Sequence, residues 1–269
     1  MEGLLKSCIC NQQQLESPAF QLWSTRMREE KICLLHRKNW EWCFIAQALF
    51  ERDMLKPGRR GIGFAVGREP LPALFASLGC TILATDLDEE RAGNPAANWV
   101  DTGQHAANVE VLNERGICDP VLFKQNVSFR VVDMNEIPEE LRGFDFCWSS
   151  CAFEHLGSLD QGKQFIYNML SCLNPGGVAV HTTEYNVTSN ENTIDYAPVT
   201  LFRRCDIEEM VRELRNRGCS LEVDFTLGEG WADLLVDHPP YKENPHLKLL
   251  FGPYVITSIS LIIQKGGTE

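Results

Sequence analysis

The chain has 269 residues, 44% of them hydrophobic and 23% charged, with a formal net charge of −12. That balance supports a folded globular protein and excludes the disordered class, while the acidic excess makes nucleic acid an unexpected partner. Eleven cysteines scattered through helix-like and strand-like segments of a chain this long read as free thiols, not as a disulfide framework. The first 14 residues lack the charged-then-apolar pattern of a secretory signal, and no run of about 18 apolar residues occurs, so a cytoplasmic protein without membrane insertion is expected.

In chain order, the first 15 or so residues read as loosely ordered. From Phe20 to Arg52 the residues Leu22, Trp23, Met27, Leu34, Leu35, Trp40, Phe44, Ile45 and Leu49 recur at helical spacing, until Lys56-Pro57-Gly58 interrupts them. Residues 1–57 are thus expected to form a helical N-terminal cap, with 58–269 as one further domain. Strands are predicted over Gly61–Val66, Thr81–Thr85, Val127–Val132, Phe144–Ser149 and Val178–Thr182. Helices are predicted over Leu71–Leu78, Gln104–Arg115, Leu159–Leu173 and Asp206–Arg217. Such alternation predicts an α/β, doubly wound Rossmann-like sheet that is mostly parallel. Ser220–Leu227 and Tyr254–Gln264 read as an antiparallel C-terminal strand pair, because no crossover helix separates them. Between them, residues 228–252 carry Trp231, His238-Pro239-Pro240-Tyr241 and Pro245-His246, a turn-rich insertion expected on the substrate side as a lid or wall.

The run Gly61-Ile62-Gly63-Phe64-Ala65-Val66-Gly67 ends the first predicted strand of this domain and precedes a helix whose start contains Pro70 and Pro72. Glycine lets backbone approach a ligand closely, and a helix start offers unpaired N–H groups. Asp86 stands at the end of the next strand, followed by Leu87, where a carboxylate can accept both hydroxyls of a ribose. Asp133-Met134 repeats the placement one strand later, suiting an adenine ring. A dinucleotide-dependent oxidoreductase shares the glycine run and Asp86, but its usual Gly-x-Gly-x-x-Gly spacing is one residue tighter than here. A non-catalytic adenosine-binding module shares the same features.

The ordered set of glycine run, Asp86, Asp133-Met134, Phe144-Asp145-Phe146-Cys147-Trp148-Ser149-Ser150, Glu154-His155-Leu156 and Leu173-Asn174-Pro175-Gly176-Gly177 resembles class I S-adenosylmethionine-dependent methyltransferases over about residues 60–217. The resemblance implies that Gly61, Gly63, Gly67, Asp86, Leu87, Asp133, Met134 and Ser149 surround S-adenosylmethionine. The acidic residue that such proteins usually carry before the glycines is missing, since Arg59-Arg60 stand there, and Glu69 is the expected substitute. With the His36-Arg37-Lys38-Asn39-Trp40-Glu41-Trp42 segment, the chain also resembles bacterial methyltransferases of sugars and surface-glycan intermediates. A small-molecule or glycan hydroxyl is therefore the expected acceptor.

A hydroxyl acceptor benefits from a nearby base, and His155, just after the fourth strand of the alternating set, is the first candidate, with Glu154 beside it and His181 second. Glu154-His155 with Thr183-Glu184-Tyr185-Asn186 distantly resembles the small-RNA 2′-O-methyltransferases, whose Glu-x-x-Glu-His run binds a divalent metal. Cys151 replaces the first of those glutamates, which removes a hard oxygen ligand. A divalent metal is accordingly possible but not favoured, and no metal ligand is assigned. Trp23, Trp40, Trp42 and Trp99 read as core residues more than as stacking platforms.

Overall fold

The computed structural model describes residues 3–28, 35–88, 109–242 and 244–267; Leu34, Trp99 and the first part of the predicted Gln104–Arg115 helix lie outside them. The chain opens with strand β1 (Ser7–Cys8) and helices α1 (Gln12–Leu15), α2 (Pro18–Arg26) and α3 (Arg37–Glu51). Ser17 accepts from the Phe20 N–H with Pro18 at the first helical position, and His36 Nδ1 accepts from the Lys38 N–H, so both longer helices begin on capping side chains.

The alternating part follows as β2 (Arg60–Gly63), α4 (Leu71–Ser77), β3 (Thr81–Asp86), α5 (Pro120–Asn126), β4 (Val127–Val131), β5 (Phe144–Ser150), α6 (Leu159–Asn168) and β6 (Leu173–Asn186). A hairpin of β7 (Asp195–Tyr196) and β8 (Val199–Thr200) leads to α7 (Arg204–Asn216), then β9 (Cys219–Ser220), β10 (Val223–Asp224), β11 (Leu249–Phe251) and β12 (Tyr254–Lys265). The main sheet runs β11-β12-β6-β5-β2-β3-β4, with β2 to β6 parallel and β12 antiparallel to both β6 and β11. This is the expected Rossmann-like α/β architecture. Strand order reverses between β2 and β5, which opens a crevice at their carboxyl ends.

The two faces of the sheet are covered by different helices. On one face Phe146, Trp148, Val178 and Val180 pack with Trp40 and Phe44 of α3 and Phe75 of α4. On the other, Cys147, Ala179, Ile259 and Leu261 pack with Phe165 of α6 and Ile207 and Met210 of α7. Alternate residues of one strand enter opposite clusters, as the two-residue period of a strand demands.

Several elements depart from the sequence reading. The first 15 residues are built into the fold: Ile262 N–H donates to Ser7 Oγ at 2.8 Å, Cys8 N–H to Ser260 Oγ at 3.0 Å and Cys10 N–H to the Ser258 carbonyl at 2.9 Å. They cover the part of the β12 edge that β11 and β9 leave open. Residues 220–227 supply only fragments, β9 on β12 and β10 on β1, because β12 finds its long antiparallel partner in β6. Helix α6 ends at Asn168, and a 3₁₀ turn leads into β6, which begins at Leu173. Helix α5 and the β7–β8 hairpin were not foreseen. All ten described cysteines are free, and no helix among the described residues is long and apolar enough to cross a membrane.

Candidate active site

The glycine run divides its labour differently from the sequence reading. Gly61 and Gly63 lie within β2, and a Cβ there would stand 2.3 Å from the Phe146 ring or 2.4 Å from the Trp148 ring. The room opened by their missing side chains is thus filled by aromatic rings of β5. The turn itself is carried by Ala65 at φ 47° and Gly67 at φ 51°. Asp86 closes it: one carboxylate oxygen accepts from the Gly67 N–H at 3.0 Å and the other from the Leu87 N–H at 2.9 Å. The carboxylate is thereby pinned at the carboxyl end of β3.

Glu69 is buried just before α4 and accepts from Trp148 Nε1 at 2.5 Å. Burial pushes its carboxyl up to about 8, against the opposing effect of the Trp148 hydrogen bond. Asp133 turns the chain after β4 by accepting from the Asn135 N–H, and Met134 is buried beside it. Ser149 spends its hydroxyl on the second core: Oγ lies 2.8 Å from His181 Nδ1. His181 is fully buried with Phe153 and Phe165 edge-on to its ring, and burial pushes its pKa down to about 3. Its surroundings are those of a packing residue.

His155 and Glu154 sit in a short 3₁₀ turn after β5. His155 Nδ1 lies 2.7 Å from the Pro198 carbonyl, which only accepts, so Nδ1 carries the proton. Nε2 is 3.8 Å from Glu154 Oε1. Burial lowers the His155 pKa to about 4, which keeps the ring neutral at physiological pH. Glu154 accepts from Thr183 Oγ1 at 3.0 Å; burial first and the neighbouring Glu184 second push its carboxyl up to about 8.

The site contains more than was read from sequence. Helix α3 projects Arg37, Lys38 and Glu41 from its first two turns onto the ends of β5, β6 and β12. Lys38 Nζ meets Glu41 Oε2 at 2.6 Å, and Arg37 Nη1 meets Glu184 Oε1 on β6 at 2.5 Å. Ser258 Oγ, Ser150 Oγ and Cys151 Sγ all donate to Glu41, at 2.6, 3.1 and 3.1 Å. Burial alone would raise Glu41, but Lys38, Arg37 and these donors outweigh it and hold the carboxyl at about 2. Cys151 sits at φ 46°, a left-handed backbone uncommon outside glycine and typical of functional sites. Among the described residues, Arg37 Nε, Glu154 Oε1 and Glu184 Oε2 are the buried side-chain polar atoms without a hydrogen-bond partner, and all three belong to this cluster. The i, i+3 and i, i+4 spacing of Arg37, Lys38 and Glu41 was visible, but such spacing usually marks a solvated helix face.

Residues 62–181 match a family model described as a methyltransferase domain. No curated protein matches the chain by sequence. Among solved structures, magnesium protoporphyrin IX methyltransferase of Synechocystis with bound S-adenosylhomocysteine is 13% identical, covering 85% of this chain and 83% of its own at a TM-score of 0.51. A structure described as a DhpI–S-adenosylhomocysteine complex is 16% identical over 96% of this chain and 100% of its own, with a TM-score of 0.48. An S-adenosylmethionine-dependent methyltransferase of Clostridium acetobutylicum is 13% identical over 91% and 97%, at 0.47. The family match covers the glycine turn, Asp86, the Glu154-His155 turn and the start of β6, and it selects methyl transfer over the hydride transfer of a dinucleotide enzyme. Residues 62–181 carry a methyltransferase domain on a Rossmann-like sheet.

Proposed function

We propose that the chain methylates a hydroxyl of a small polyhydroxylated acceptor, such as a sugar or glycan intermediate, with His155 as the base. The cofactor fits the residues present. Asp86 is fixed by two backbone N–H groups at the carboxyl end of β3, where a carboxylate can accept from a ribose diol. Glu69 is a buried carboxyl that gains its charge only beside a cation, and the cofactor's amino group is one. Asp133 and Met134 would flank the adenine, and Gly61, Gly63, Gly67, Leu87 and Ser149 would offer backbone. When bound, S-adenosylmethionine supplies the methyl group.

The observation that carries the reading is the proton arrangement at His155. Its Nδ1–H is committed to the Pro198 carbonyl, so Nε2 has the lone pair with which to take the acceptor's proton. Glu154 lies 3.8 Å from Nε2, beside the atom that would take the proton. Arg37 and Glu184 add a donor and an acceptor without partners, which suit a molecule rich in hydroxyls. The insertion at 228–252 supports this site as a wall: the His246 N–H donates to the Leu35 carbonyl and the Arg37 N–H to the His246 carbonyl, beside the start of α3.

The test is release of S-adenosylhomocysteine with a panel of sugars, sugar nucleotides and matched amines. Turnover with hydroxyl acceptors that falls in His155→Ala supports the reading. Turnover confined to amines, or unchanged in that variant, would overturn it.

A further inference from the structure

We propose that Cys151, Glu154 and Glu184 form a binding site for one borderline divalent cation, of the zinc, cobalt(II) or iron(II) type. One ligand atom from each residue lies within 4.8 Å of the other two. Two ligands of a tetrahedral ion, each at about 2.0–2.3 Å, stand about 3.3–3.8 Å apart, so the three side chains close the set by drawing together by about 1 Å.

The carboxylates are prepared for a further partner. Glu154 has one oxygen taken by Thr183, and Glu184 has one taken by Arg37. The other oxygen of each is buried without any hydrogen bond. An unpaired buried carboxylate oxygen is costly, so two in one cluster point to a missing positive group.

The backbone adds a reason for the thiol, because Cys151 stands at φ 46° and its amide donates to both the carbonyl and the hydroxyl of Thr182, fixing where Sγ points. One soft sulfur with two hard oxygens suits a borderline ion and disfavours magnesium, whose ligands are all oxygen.

The site shares Glu154 and Glu184 with the acceptor reading, and the two are tested apart. The test is cobalt(II) titration of full-length protein stripped with a chelator, read by the near-ultraviolet thiolate-to-cobalt band and by equilibrium dialysis. Expected are one cobalt per chain, displacement by zinc but not by millimolar magnesium, and no band in Cys151→Ala. Glu184→Gln should weaken binding at least ten-fold. Unchanged S-adenosylmethionine affinity and circular dichroism would show that both variants are folded. No saturable binding by the wild type, or a band that persists in Cys151→Ala, would overturn the site. Methylation of a hydroxyl without metal binding would sink this inference and leave the acceptor reading intact; metal binding without hydroxyl methylation would do the reverse.

Discussion

Glu154 and His155 are neighbours in sequence, yet burial moves them in opposite directions, the carboxyl up to about 8 and the imidazole down to about 4. Desolvation disfavours whichever form is charged, so the ordinary order of proton affinity is inverted and the carboxyl keeps its proton to higher pH than the imidazole. For His155 as base the sign is clear: activity needs the neutral ring, so it should be lost only as pH falls through about 4. A rate profile with a lower limb near 6.5 would contradict that environment. His155→Ala should lower turnover by about 10²–10⁴-fold while cofactor affinity stays nearly constant, and His155→Gln should be almost as damaging. Asp86→Ala tests the other half of the site. Losing a carboxylate costs about 1–3 kcal/mol per partner left unpaired, so calorimetry should show S-adenosylmethionine binding weakened roughly ten-fold or more.

At the scale of elements, β12 shows how strongly tertiary partners decide what a short segment becomes. Its inner edge is occupied by β6 from Ile256 to Gln264, and its outer edge is shared by β11, residues 7–10 and β9. Removing residues 3–10 should cost about 0.5–1.5 kcal/mol for each of the hydrogen bonds lost and lower the Tm by several degrees, with more aggregation from the opened edge. Thermal unfolding with light scattering checks both. The same strand explains what could be read beforehand. Parallel strands and longer helices announce themselves through apolar runs and periodicity, and Asp86 and Glu154-His155 through their place at strand ends. Ser7-Cys8-Ile9-Cys10 is too short to show a period, and its order comes from the Ser260 hydroxyl and the Ile262 N–H some 250 residues away. Likewise nothing local to Arg37, Lys38 and Glu41 shows that α3 docks on the sheet's carboxyl edge. A second reason for glycine at positions 61 and 63 was not legible, because the rings that fill their side-chain space belong to β5.

Across the whole molecule several buried histidines and glutamates are kept neutral. His36 and His155 are lowered to about 4 and His181 to about 3 from an ordinary 6.5, in each case chiefly by burial. A histidine lowered in the folded state contributes stability that is present above 6.5 and lost as pH falls through its folded value. Glu69 and Glu154, raised to about 8 from 4.5, act oppositely: their contribution is complete below 4.5 and lost as pH rises through 8. Metal-free protein should therefore be most stable near pH 5–6.5, with Tm falling on acidification below 5 and again above pH 7. A Tm that rose steadily from pH 6 to 9 would contradict the buried, uncharged state of the two glutamates. Cys151 has its own consequence for the molecule as a whole. A left-handed backbone costs a side-chain-bearing residue about 1–2 kcal/mol that glycine does not pay, so Cys151→Gly should raise the melting temperature. Directed evolution for heat tolerance alone would favour that replacement and discard the thiol, so thermostability and the thiol's role are set in opposition at one position.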